Sequence, residues 1–214
     1  MAEPVARSPI IPAAPEVVVS GWAVSGRRST AGLTLCDHTP LAKVAVKAAD
    51  VEAMADVLGV GFGRVVRRRD LDETGRPVLV TGSGPGEWLI MSAPGSQGTL
   101  ADRLEQSTSR VDGLVTVIDL THGRALIRLT GRQAADLLAK ETGIDLREAA
   151  SPDRTALRTG VAGVATDLVR DDRDGLRSYL LHCERSSGQY LWDCLLDAGG
   201  EYGVDIDGFT PPGI

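Results

Sequence analysis

Residues 114–140 read LVTVIDLTHGRALIRLTGRQAADLLAK, and the reading of this stretch decides the fold. Two apolar runs, LVTVIDL and ALIRL, flank the polar trio Thr121, His122 and Gly123. Val115, Val117 and Leu129 stand at strand-like spacing, and the trio is good turn material. After Thr130 and Gly131 the pattern changes to QAADLLAK, in which Leu137 and Leu138 supply the apolar face of a helix. Thr130 is placed to offer its hydroxyl to the free N–H groups at that helix's start. The stretch therefore predicts a strand–turn–strand–helix unit, with Asp119 and His122 near the turn.

Working outward, the N-terminal residues hold Pro4, Pro9, Pro12 and Pro15 without a sustained period, which reads as a tail over residues 1–31, extended or disordered when alone. Ile10, Ile11, Val17 to Val19 and Trp22 are too apolar for a solvated linker, so the tail is expected to lie along a partner or its own domain. LTLCDH and LAKVAVKA read as strands broken at Pro40. Ala42, Val44 and Val46 alternate with Lys43 and Lys47, the mark of a sheet with one face buried. DVEAMADVLG reads as a helix with Asp50 as N-cap, an apolar stripe of Val51, Met54, Val57 and Leu58, and Gly59 as its close.

Gly59, Gly61 and Gly63 end a helix instead of opening one, so they read as a C-cap and turn, not a phosphate loop. Arg67 to Arg69 are followed by Asp70, Asp72 and Glu73 and read as a charge-balanced loop. PVLVTGSGPGEWLIMSAPG reads as strand, glycine-rich turn and strand, with Val78, Val80, Leu89 and Met91 facing one way. Thr99 is expected to cap a helix through Ser107. Ser151 to Thr159 reads as a polar loop, then GVAGVATDLVRD and LRSYLLHCE as a hairpin joined at Asp171 to Gly175. SSGQYLWDCLLDAGGEYG reads as an amphipathic helix with Tyr190, Leu191, Leu195 and Ala198 at helical spacing. The two halves echo each other, strand pairs then a helix. The fold class is α+β, antiparallel sheets with helices packed on one face. The domain spans residues 32–210, with subdomains at about 32–110 and 111–210 and a short tail at 211–214.

Composition excludes several classes. At 214 residues the chain has room for one domain or two small subdomains. No apolar run approaches the roughly 20 residues of a membrane helix, and the N-terminus lacks the basic and apolar segments of a signal peptide. Three cysteines without a CxxC pair fit a reducing cytoplasm and argue against a disulfide scaffold or structural zinc. A net charge of −6 and 4% aromatic residues disfavour nucleic-acid binding.

His38, His122 and His182 have no second ligand at zinc spacing, and the adjacent His182 and Cys183 would point to opposite faces of a strand. Cys36, Cys183 and Cys194 read as small buried hydrophobes. GxSxG, SxxK, P-loop and dinucleotide fingerprints are absent. Asp119 and His122 are the one pair for which acid–base chemistry can be argued. The structural reading is favoured, with Asp119 accepting backbone N–H groups inside its turn. No catalytic, cofactor-binding or metal residue is assigned.

Four ordered segments, LTLCDHTPLAKVAVKA, SGPGEWLIMSAP, VIDLTHGRALIRLTGRQAADLLAKETGIDL and CERSSGQYLWDCLLDAGGEYG, together resemble the gamma subunit of heterotetrameric sarcosine oxidase. The similarity runs from about Gly32 to Gly203. It departs around Ala156 to Thr166, where the family carries a Cys-Ala-Gln-Thr-like strand start and this chain has ALRTGVAGVAT. The resemblance implies a folate-binding, aminomethyltransferase-like fold in a non-catalytic subunit. It implies partner alpha, beta and delta subunits, with NAD, FAD and FMN on alpha and beta and zinc on delta. Such a complex demethylates sarcosine to glycine with hydrogen peroxide and passes the one-carbon unit to tetrahydrofolate. Two alternatives stand beside it. One is a stand-alone folate-dependent one-carbon transferase using Asp119, or the equivalent subunit of a complex oxidising another N-methyl amino acid. The other is an iron–sulfur assembly factor, whose Lys-Gly-Cys-Tyr-like motif this chain lacks.

Overall fold

The computed structural model describes residues 4–214; Met1, Ala2 and Glu3, the start of the expected tail, lie outside the described residues. In chain order the elements are β1 (Ala6–Arg7), β2 (Glu16–Val19), β3 (Trp22–Ser25), β4 (Leu33–Asp37) and β5 (Ala42–Ala48), then α1 (Val51–Leu58). Next come β6 (Val65–Arg68), β7 (Val78–Gly84), β8 (Glu87–Ser92), α2 (Gln97–Thr108), β9 (Val115–Asp119) and β10 (Arg124–Gly131). The chain continues with α3 (Ala134–Glu141), β11 (Ala156–Val161), β12 (Val164–Arg170), β13 (Ser178–Glu184), α4 (Gly188–Gly199) and β14 (Asp205–Asp207).

Two sheets carry the fold, a five-stranded one in the order β6-β7-β8-β5-β9 and a six-stranded one in the order β11-β12-β13-β10-β4-β14. All pairings in both are antiparallel except β14 with β4. Period-2 alternation gives each sheet two apolar faces. Val44, Val46, Val80 and Ile90 pack against Met54 and Leu58 of α1 and Leu100 and Leu104 of α2. Ile127, Leu129 and Leu181 pack against Leu137 and Leu138 of α3 and Leu191 and Leu195 of α4. The remaining faces meet each other through Leu79, Leu89, Met91, Leu126, Val169 and Leu180. The α+β class with antiparallel sheets and helices on one face of each is the one the sequence implies.

The opening stretch holds the main surprise. Its two strands do not pair with each other: β9 pairs with β5 in one sheet, and β10 pairs with β4 and β13 in the other. Residues 120–123 are a crossover between sheets, not a hairpin turn. Residues 38–41 make the same passage in the opposite sense, from β4 to β5. Each sheet thus borrows one strand from the other half of the sequence, so the sheets do not follow a division near residue 110.

Local chemistry explains the elements that agree with the sequence. Asp50 accepts the Ala53 N–H at 3.0 Å as the N-cap of α1. Gly59 closes that helix in the left-handed region at φ +71°, its N–H donating to the Ala55 carbonyl. In the β7–β8 turn Gly86 has φ +69°, and a Cβ there would lie 2.7 Å from the Ala48 carbonyl oxygen. That position demands glycine.

Other expectations are corrected. Thr130 lies inside β10, where its hydroxyl meets Ser178 at 2.8 Å, and α3 starts without a side-chain cap. Helix α2 begins at Gln97, so Thr99 sits in its first turn and its hydroxyl donates to the Ser96 carbonyl. The register pairs Val80 with Ile90 and Leu79 with Met91. Val78 and Val80 therefore face the helices, while Leu89 and Met91 face the other sheet. Arg67 and Arg68 belong to β6; Arg68 does pair with Asp70, but Arg67 reaches Asp171 at 2.5 Å. Part of the expected polar loop is the edge strand β11, joined to β12 through Ala162 and Gly163 at φ 50° and 75°. Tyr190 projects from α4 into solvent, 57% exposed.

Residues 6–25, expected as a tail, form a third sheet in the order β1-β3-β2. Ile10 and Trp22 are buried against the domain, as their apolar character suggested. The C-terminal Ile214 also packs between the two main sheets.

Candidate functional site

The two crossovers are built alike. Asp37 Oδ1 accepts the Thr39 N–H at 2.9 Å, and Asp119 Oδ1 accepts the Thr121 N–H at 2.8 Å. Both are Asx turns, each using an Asp-x-Thr sequence. Asp119 therefore makes the backbone contact favoured on sequence grounds. His122 lies flat on Trp22, ring centroids 4.9 Å apart and planes 9° from parallel. Among the described residues no hydrogen bond or ion pair joins Asp119 to His122.

Between the crossovers lies Lys43, read from the sequence as part of the polar face of β5 and found fully buried. Its ammonium donates to the carbonyls of Thr39 and Leu41, both at 2.7 Å. Burial pushes its pKa down to about 7, against the attraction of Asp37 and Asp119. His38 is buried with its ring edge-on to Phe209, 5.3 Å between centroids, and burial holds its pKa well below the usual value. A second buried group is ionic: Asp171 receives Arg128 at 3.1 Å, Arg67 at 2.5 Å and Arg173 at 3.2 Å.

A cleft opens where the inner faces of the two sheets part. On one wall Lys47 and Glu87 stand opposite each other across β5 and β8, 2.8 Å apart. The other wall carries a cross-strand row in which Arg158, Asp167 and His182 are successive partners on β11, β12 and β13. Arg158 contacts Asp167 at 2.7 Å and reaches across to Glu87 at 2.9 Å, linking the sheets. His182 Nδ1 lies 3.3 Å from Asp167 Oδ2. Burial of Asp167 works to raise its pKa, but the hydrogen bonds from His182 and Arg158 outweigh it and hold the carboxyl below its ordinary value. Burial lowers the pKa of His182, opposed by Asp167, so the imidazole is neutral near pH 7. Asp167 then fixes the Nδ1–H tautomer and leaves Nε2 as an acceptor.

The cleft has an outer part of about 320 Å³ and an inner recess of about 90 Å³. His182 and Cys183 point to opposite sides of β13, His182 to the cleft and Cys183 to the core under α4. The thiols of Cys36 and Cys183 are pushed up by burial, which leaves them poor nucleophiles. Among the described residues no group of three or more His, Cys, Asp or Glu side chains is arranged to hold a metal ion. Among the same described residues no helix is long and apolar enough to cross a membrane.

Sequence reasoning singled out Asp119 and His122 but missed Lys43, Glu87, Arg158 and Asp167. For Lys43 the available signal was the repeated Asp-x-Thr in CDHTPLAK and IDLTHGRA, which marks both crossovers; the cleft residues carried none.

Known proteins share this fold. The fold superposes on a chain of the heterotetrameric sarcosine oxidase from Corynebacterium sp. U-96 with a TM-score of 0.65 and 21% identity, covering 83% of this chain and 89% of that one. It superposes on aminomethyltransferase T of the glycine cleavage system from Bartonella henselae with a TM-score of 0.70 and 18% identity, covering 90% of this chain and 55% of that one. The aminomethyltransferase of Geobacillus thermodenitrificans is 30% identical over 153 residues, which are 70% of this chain and 40% of the enzyme. The chain spans about half or less of the length of the curated relatives it matches. Residues 27–210 match the GCVT N-terminal domain, and the chain belongs to that aminomethyltransferase-related family.

Proposed function

We propose that the chain is the gamma-type accessory subunit of a heterotetrameric sarcosine oxidase. In this reading its alpha, beta and delta partners carry NAD, FAD, FMN and zinc, and the complex demethylates sarcosine with transfer of the one-carbon unit to tetrahydrofolate. The observation that carries it is the asymmetry of coverage. The fold accounts for 89% of a chain taken from such a heterotetramer but 55% of an aminomethyltransferase.

The 30% identity to an aminomethyltransferase favours a second reading, a stand-alone folate-dependent one-carbon transferase. One experiment separates the two. The chain is expressed alone and together with the neighbouring genes of its operon, then purified by a tag on this chain. A colourless, folate-indifferent protein from the first expression and a yellow complex from the second are expected. Tight tetrahydrofolate binding by the isolated chain overturns the subunit reading.

A further inference from the structure

The charges lining the cleft do not balance. Lys47, Arg124 and Arg158 supply three cations, and Glu87 and Asp167 supply two carboxylates. Both carboxylates are already shared, Glu87 between Lys47 and Arg158 and Asp167 between Arg158 and His182. Arg124 has its partner, Glu184, outside the cleft lining, and that carboxylate is mostly in solvent where the pair is weak. The cleft therefore has the charge complement for one more anion.

Two polar atoms in the inner recess lack a hydrogen-bond partner among the described residues. His182 is 4% exposed and Ser83 is 8% exposed, and neither His182 Nε2 nor Ser83 Oγ makes a hydrogen bond among the described residues. Buried polar atoms are ordinarily paired, and an orphan costs about 1–3 kcal/mol. Nε2 of a neutral imidazole tethered through Nδ1–H is an acceptor, so its missing partner is a donor. The recess is completed by apolar Ala45, Leu89 and Leu120. Its volume of about 90 Å³ is well above the roughly 10–15 Å³ that a cavity needs to admit one water.

We propose that this cleft binds a small monocarboxylate that also carries an O–H donor, a 2-hydroxy acid of glycolate size. The carboxylate sits at Arg124 and the outer cations, the donor meets His182 Nε2, and the carbon lies on the apolar floor. A dicarboxylate brings one charge more than the cations offer, and the neighbouring Glu87 and Asp167 repel it. An amine without a carboxylate finds the net charge of the wrong sign.

The test is a titration of the isotope-labelled full chain, followed by NMR at the His182 ring and the Arg124 side chain. Glycolate is expected to give saturable shifts, and glycine, whose ammonium cancels its carboxylate charge, to bind more weakly. Acetate, which lacks the donor, is expected to bind at least tenfold more weakly, and methylammonium not to bind. His182→Phe should erase the preference for glycolate over acetate. Arg124→Gln, a rim substitution that spares the core, should weaken both carboxylates several-fold. A response that does not saturate overturns the proposal. So does equal affinity for glycolate and acetate, or a response reproduced by sodium chloride at the same ionic strength.

Discussion

Thr39 and Thr121 each cap a strand that the other's crossover helps to place. The Thr39 hydroxyl accepts the N–H of Leu126, just beyond the Thr121 crossover, at 3.1 Å. The Thr121 hydroxyl accepts the N–H of Lys43, just beyond the Thr39 crossover, at 3.1 Å. The exchange is completed by the His38 N–H donating to the Leu126 carbonyl and the Leu120 N–H donating to the Lys43 carbonyl, both at 2.8 Å. Two strands leaving one sheet for another would strand backbone groups in the core; this reciprocity satisfies them. Both threonines are buried.

Replacing either threonine by valine keeps the shape and orphans one buried N–H. Each of Thr39→Val and Thr121→Val is expected to lower stability by about 1–3 kcal/mol, the cost of an unsatisfied buried donor. Serine at either position, which keeps the acceptor, should retain most of it. Urea denaturation of the four variants checks this, and a valine variant as stable as wild type would refute the capping role.

Asp119 shares the crossover but is exposed. Asp119→Ala removes one hydrogen bond to the Thr121 N–H, a loss of about 0.5–1.5 kcal/mol. The expected result is a lower yield or poorer assembly with unchanged flavin reduction in the assembled complex. Turnover that collapses while assembly stays intact would assign Asp119 a chemical role instead.

Lys43 gives the fold a pH dependence whose sign follows from its lowered pKa. Unfolded, the lysine holds its proton to about 10.4; folded, it releases it near 7. Between those values the unfolded state binds more protons, so stability rises with pH, by at most about 1.4 kcal/mol per unit for one group. Below pH 7 both states are protonated and the full cost of the buried charge is present. Lys43→Met removes this titration. The stability of wild type relative to the variant should therefore climb from pH 7 to pH 9, measured by denaturation at fixed ionic strength. A difference independent of pH would show that the lysine does not titrate there.

Elements with a local cause could be read from the sequence. Asp50 and Gly59 bound α1 through bonds made within one turn, and Leu191 and Leu195 announce α4 by their spacing. What could not be read was set by distant partners. An Asp-x-Thr segment looks like a hairpin turn until the second crossover is in place to receive it. Strand β11 carries Arg158, Thr159 and Gly160 because it is an edge with one face open, so it shows no hydrophobic alternation. The cleft was invisible for a related reason. Glu87 is distant in sequence from Arg158, and their contact depends on how one sheet lies on the other.

The buried ion group around Asp171 offers the sharpest stability test. Arg128 and Asp171 are 6% and 4% exposed at their side chains and 3.1 Å apart. Burial lowers the Arg128 pKa to about 10, with Arg173 adding repulsion and Asp171 opposing both. Asp171→Asn keeps the shape but leaves the Arg128 charge buried with Arg67 and Arg173 nearby. Removing one partner of a buried pair costs about 3–5 kcal/mol, whereas exchanging both for apolar residues of similar volume is often neutral. Asp171→Asn should therefore be severely destabilised, and the double variant Arg128→Met with Asp171→Leu should recover much of the loss. Chemical denaturation of the two variants and wild type gives the two stability differences to compare. If the double variant is no more stable than Asp171→Asn, the uncompensated charge is not what makes the single change costly.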